Sequence, residues 1–109
     1  MLDNIRYQLD QGGVVAFGTD NPPPLGPTDF MTEVEALGTV LSPAEVIEAL
    51  TIGAARYLDL DDQLGSIEVG KVADLVVLDR NPLADLDALR DVRAVVAAGE
   101  VKIDRRDEP

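Results

Sequence analysis

LGSIEVGKVADLVVLDRNP, Leu64 to Pro82, is the stretch that decides how this chain folds. A glycine turn at Gly65-Ser66 precedes Ile67, and a second turn follows at Gly70-Lys71. Ala73-Asp74 then lead into the apolar run Leu75-Val76-Val77-Leu78, and Asp79 to Pro82 close it with turn residues. β-Branched residues bounded by Gly, Asn and Pro favour strands, so the stretch predicts a short strand at Ile67, a tight turn and a buried strand. Further on, Asp85 to Leu89 fit one helical turn. Val92 to Ala97 and Glu100 to Ile103 flank Ala98-Gly99 as the arms of a hairpin. Asp104 to Pro109 are charged and expected to fray.

Upstream, the period is helical. Leu2, Ile5 and Leu9 recur at one face of a short amphipathic helix that Gly12-Gly13 stops. GGVVAFGTDNPP, Gly12 to Pro23, then predicts a buried strand at Val14 to Phe17 that ends abruptly at Thr19-Asp20. Helix, short loop and strand make half a turn of an α/β repeat. Asn21 to Asp29 hold four of the seven prolines and predict irregular chain. A helix is expected from about Phe30 to Leu41, with Phe30, Val34, Leu37 and Leu41 on one face and Glu33 and Glu35 where the helix dipole favours them. Ser42 can cap the next helix, with Pro43 at its first position and Glu45 completing a capping box. The stripe Ile47, Leu50, Ala54 and Leu58 runs through Thr51, which implies one kinked helix or two short ones.

Composition excludes several functions. The 109 residues cannot hold an eight-stranded α/β barrel of roughly 250. Aromatic residues are only 4% against 46% hydrophobic, so the core must consist of Val, Leu, Ile and Ala. The net charge of −12 is spread evenly, with 8 acids against 2 bases in residues 1–58 and 13 against 7 in 59–109. Nucleic acid and anionic membrane surfaces need clustered Lys and Arg, and no such cluster exists. Without cysteine there are no disulfides or thiolate metal sites. MLDNIRYQLDQ lacks the basic and apolar regions of a signal peptide, and no apolar run approaches the roughly 20 residues of a membrane helix. The expected location is the cytoplasm.

Taken together, the Gly18-Thr19-Asp20 triplet, the segment Ser42–Leu60 and the glycine-flanked run at Leu64–Pro82 resemble, in that order, the C-terminal part of metal-dependent amidohydrolases, the superfamily that includes imidazolonepropionase-like enzymes and dipeptidases. The resemblance implies an α/β architecture: the last strand and following helices of a (β/α)8 barrel over residues 1–63, and part of an appended β-sandwich over 64–109. It implies hydrolysis of a C–N bond, amide or amidine, in a small molecule or dipeptide, by a metal-bound hydroxide. Asp20 would be the catalytic aspartate, binding the divalent metal (zinc in the complete enzyme) and shuttling the proton. The family's metal-binding histidines lie on earlier strands, and this sequence has no histidine. A catalytic zinc needs about three protein ligands, so no metal is expected to bind stably to this chain alone. The implied reading is a C-terminal portion, inactive by itself, that meets its substrate only in a complete barrel. The expected partners are the remainder of the barrel or further copies of the chain. The competing class is a non-catalytic association module derived from the same family.

Each candidate residue also has a simpler reading. Asp20 alone could cap a turn before the prolines; the downstream match in the same order favours descent from a catalytic aspartate. Thr19 could orient it, though a β-branched strand end needs no such role. Asp59, Asp61 and Asp62 fail the calcium-loop template, because Leu64 and Gly70 stand where glycine and glutamate are required. They read as a solvated acidic loop. Lys71 and Asp74 could pair or simply flank a strand. Gly65, Gly70 and Gly99 are turn residues, not a phosphate-binding pattern.

Overall fold

Four helices lead into a three-stranded antiparallel sheet in the computed structural model, which describes residues 2–19 and 28–108. Helix α1 (Leu2–Asp10) is amphipathic as expected and buries no residue completely. Its Ile5 and Leu9 lie against a core of Met31, Val34, Leu41 and Val46. Arg6 fastens it further, reaching Asp10 within the helix and Glu45 across the fold, each at 2.8 Å. Helix α2 (Thr28–Leu37) is shorter than the predicted Phe30–Leu41 and turns at Gly38 before Leu41 enters the core. Met31, outside the predicted face, is buried beside Val34.

Helix α3 (Pro43–Leu50) starts as the sequence dictates. The Ser42 hydroxyl accepts from the Glu45 main-chain N–H at 3.2 Å, and the Glu45 carboxylate accepts from that of Ser42 at 3.0 Å. Such a cap contributes about 1 kcal/mol. Thr51 breaks the run, with φ −123° and ψ −99°, and its hydroxyl donates to the Ile47 carbonyl at 2.7 Å. Helix α4 (Ile52–Tyr57) therefore begins anew. The break shifts the buried stripe: Val46, Ala49, Gly53 and Ala55 are buried, while Leu58 is exposed. Two short helices are one of the two arrangements the stripe implied; of its residues, Ile47, Leu50 and Ala54 are half-buried and Leu58 is exposed.

Two expected strands do not form. Val14 to Phe17 has no regular structure, and Val14 is exposed. A strand needs a neighbour in a sheet, and here the Phe17 N–H donates instead to the Ala49 carbonyl of α3 at 3.0 Å. Ile67 lies in a turn-rich segment and is exposed, as is Val69.

Strand β1 (Leu75–Leu78) pairs with β2 (Val92–Ala97), which pairs with β3 (Glu100–Asp104). Leu75, Val96 and Val101 stand in one cross-strand row, and Val76, Val95 and Ile103 in the next. Contrary to the expected burial, Val76 and Val77 are exposed, because β1 is an edge of the sheet. The hairpin turn at Ala98-Gly99 has positive φ at both residues, 51° and 79°. This is the twist that suits a two-residue connection. The Asp74 carboxylate accepts from the Ala98 N–H at 2.8 Å and steadies it.

A 3-10 turn, Leu86–Arg90, joins sheet to helices. Asp85 caps it by accepting from the Asp87 N–H at 2.9 Å, and Ala88 is fully buried. Leu86 and Leu89 pack on the helical core, while Arg90 pairs with Glu35 of α2 at 3.0 Å.

Hydrogen bonds from Arg6, and then from the Ser42 main chain, hold the Glu45 carboxyl down at about 2, against an ordinary 4.5. A lowered folded value contributes stability that is complete above pH 4.5 and is lost as pH falls towards 2. The pair is solvent-accessible, so the effect is about 0.5–1 kcal/mol after screening. Urea melts between pH 6 and pH 2.5 should show a steeper acid loss for the natural chain than for Glu45→Gln. Parallel pH curves would remove Glu45 from the acid response.

Candidate active-site segment

The segment from Gly13 to Thr19, leading to Asp20, is anchored on three sides. At its start the Gly13 N–H donates to the Gln8 carbonyl of α1 at 2.8 Å. In the middle, Val15 lies so close to α4 that a Cβ on Gly53 would come within 2.6 Å of its carbonyl oxygen. Glycine inside a helix weakens it by about 1 kcal/mol relative to alanine, and this close approach is why one stands there. At the far end Phe17 is tied to Ala49 of α3, and its ring meets Phe30 of α2 edge to face, with centroids 5.2 Å apart at 68°. The chain thus reaches a half-buried Thr19 along a fixed path.

Asp20 itself, the one residue assigned both catalytic and metal-binding roles from the sequence, lies outside the described residues. So do its relation to Thr19 and residues 21–27 of the irregular stretch expected over Asn21–Asp29, whose last two residues, Thr28 and Asp29, instead begin α2. What the fold supplies is a held approach to that carboxylate.

The resemblance implies a divalent metal, and the donors among the described residues do not fit such an ion unaided. The sequence offers neither imidazole nor thiolate. Among the described residues no three carboxylates stand close enough to share one, which includes Asp59, Asp61 and Asp62.

Other charged residues serve architecture. Lys71 does not pair with Asp74. Its ammonium reaches the Ser66 hydroxyl at 2.7 Å and Glu68 at 3.0 Å, drawing the chain from Ser66 to Lys71 into a closed turn. The Ser66 hydroxyl also donates to Glu68, and these two contacts lower the Glu68 carboxyl below its ordinary value. Arg80, just after β1, faces Asp91, Asp87 and Asp85. Arg93 bonds Asp79 at 2.7 Å. Sequence reading missed Arg6–Glu45 and Arg90–Glu35, because neither pairing leaves a local pattern. Gly53 inside a helical run was the one available signal of a close approach.

The helices, the anchored segment between them and the antiparallel sheet that follows make a small α/β unit. The Amidohydrolase family pattern matches residues 1–102, and the chain belongs to that family. An imidazolonepropionase of Geobacillus sp. (strain WCH70) is 42% identical over 79 residues, covering 70% of this chain and 19% of the relative. Among solved structures, an amidohydrolase superposes with a TM-score of 0.82 at 36% identity, covering 94% of this chain and 26% of the other. A Xaa-Pro dipeptidase with bound methionine in its active site superposes at 0.79 with 32% identity, covering 92% and 25%. The chain thus spans about a fifth to a quarter of the length of these proteins. Among the described residues no helix is long and apolar enough to cross a membrane.

Proposed function

We propose that this chain is the C-terminal portion of a hydrolase acting on C–N bonds, amide or amidine, of small molecules or dipeptides. In this reading residues 1–63 close a (β/α)8 barrel and residues 64–109 form part of its β-sandwich. Asp20 accepts a proton from the attacking water and returns it to the leaving nitrogen, the work of a positioned general base. A divalent metal would be held by Asp20 together with ligands on earlier strands supplied by the remainder of the barrel. The carrying observation is the ordered match: one pattern over residues 1–102, with solved amidohydrolases superposing on nearly the whole chain.

The Val14–Phe17 segment supports the same view. It is apolar, as strands buried on both faces of a parallel sheet are, yet Val14 lies exposed. A barrel neighbour would cover it.

The test is to produce the chain alone and together with a polypeptide carrying the earlier barrel strands, and to assay amide and dipeptide hydrolysis and metal content in each. Turnover and bound metal are expected only in the joined form. Zinc held at near one ion per isolated chain would overturn the reading. A stable joined form that hydrolyses none of these substrates would favour the association module instead.

A further inference from the structure

Phe17 stands three residues before Asp20, so at most about 11 Å of extended chain separates the two. Its N–H donates to the Ala49 carbonyl at 3.0 Å, and its side chain packs against the helical core. A hydrogen bond of that kind fixes a distance and leaves rotation about it open. The Phe30 ring removes the freedom, meeting Phe17 edge to face with centroids 5.2 Å apart at 68°. Such a pair has a preferred angle as well as a preferred distance, because the positive edge of one ring meets the negative face of the other. An aliphatic side chain would fill the same space and orient nothing.

Phe30 has a firm base. It is the third residue of α2, and Met31 and Val34 on the same helix are buried in the core. Phe30 itself is 36% exposed, so the core does not depend on it. Gly18 lies in open space, with nothing within 4 Å of where a side chain would begin. Glycine adds conformational freedom there and no packing, so the direction in which the chain leaves depends on how Phe17 is set. The rings also join the two ends of residues 18–29. Four prolines lie in that stretch, each with its φ locked, so a shift at either end is poorly absorbed within it. The chain superposes over nearly its whole length on a solved amidohydrolase, so a barrel closed by earlier strands has room for the contact as it stands.

We infer that Phe30 is a positioning residue for Asp20: through the Phe17 ring it fixes the direction in which the anchored segment delivers the carboxylate. This rests on the hydrolase reading above and adds to it a residue that acts without touching substrate or metal. Misplacing a reacting group by about 1 Å costs up to roughly 100-fold in rate, so loss of the ring contact should be read in kcat.

The experiment compares Phe30→Leu and Phe30→Tyr in a polypeptide that joins this chain to the earlier barrel strands. Phe30→Leu is expected to lower kcat about tenfold, with KM, metal content and melting temperature nearly unchanged. Phe30→Tyr keeps the ring and should keep the natural kcat. In an Asp20→Asn background, single-turnover rates should show no further loss from Phe30→Leu, since residues that act through one another are not additive. Unchanged kcat, a rise in KM alone, a loss that follows metal content or melting temperature, or an undiminished loss on top of Asp20→Asn would each overturn the inference. Should Phe30→Leu fail to fold, Phe30→Met, which also lacks a ring, takes its place. If the joined form with Phe30 shows no turnover, the hydrolase reading falls, and NMR of this chain alone decides on the contact. There Phe30→Leu should change the residual dipolar couplings of the Gly18 and Thr19 N–H bonds, which report their direction, and Phe30→Tyr should not. Couplings that Phe30→Leu leaves unchanged would overturn the positioning role.

Discussion

Asp20→Asn, placed in a polypeptide that joins this chain to the earlier barrel strands, should lower kcat roughly 100- to 10,000-fold, the usual contribution of a positioned general base. The amide has nearly the shape of the carboxylate but cannot accept the proton of an attacking water. KM should change far less, because substrate contacts in a barrel come from several strand ends. The same substitution in the isolated chain should alter stability by less than about 0.5 kcal/mol, as for a surface residue without a structural duty. Single-turnover kinetics check the first statement and thermal melts the second. Near-normal turnover would remove Asp20 from the mechanism, and a loss above about 1 kcal/mol in the isolated chain would make it a structural cap.

Gly65→Ala should be strongly destabilising although it adds a single methyl group. Gly65 has φ +94°, where a side chain is strained, and its Cβ would lie 2.7 Å from the Ala55 Cβ and 3.0 Å from the Ile52 Cα. Neither neighbour can swing aside, since one is a methyl group and the other is backbone. The left-handed conformation costs about 1–2 kcal/mol and overpacking about 1–3 more. A loss of roughly 2–5 kcal/mol lowers the melting temperature by at least about 10 °C in a chain of this size. Gly70→Ala supplies the control. Its φ of +92° is nearly the same, but nothing lies within 4 Å of the added carbon, so only the conformational part, about 1–2 kcal/mol, should appear. Equal losses in the two variants, read from urea melts, would show that the contact between the turn and α4 carries no weight.

The parts legible in the sequence are those specified by neighbours along the chain. The Ser42–Glu45 capping box spans three residues and formed as expected. The Ala98-Gly99 hairpin and the single turn after Asp85 are likewise local. Long-range geometry was less legible. Val14–Phe17 has strand composition but no strand beside it, and hydrogen-bonds to a helix instead. Leu75–Leu78 was rightly identified as a strand, yet its burial depends on what lies beyond the edge, which no residue within it encodes. The stripe through Thr51 left one kinked helix or two short ones open, and the distorted backbone of that one residue decides for two. For the site, the order of motifs pointed to the family and to Asp20. The anchoring by Ala49, Gly53 and Phe30 emerged only from the packing.

The Arg6–Glu45 pair bears on the order in which the chain assembles. It bridges 39 residues, and α1 has no fully buried residue to hold it in place before its partners exist. Short loops close within about 100 ns and hairpins within microseconds, whereas closing a long loop is entropically harder. During synthesis α1 leaves the ribosome ahead of its landing surface on α2 and α3, which follows some tens of residues later. At roughly 5–20 residues per second, the helix must wait on the order of seconds as a marginal, mostly unfolded segment, too short to persist alone. Helix α1 therefore docks well after it is made, and a translational pause before α3 would lengthen the time its apolar face stays open to other partners.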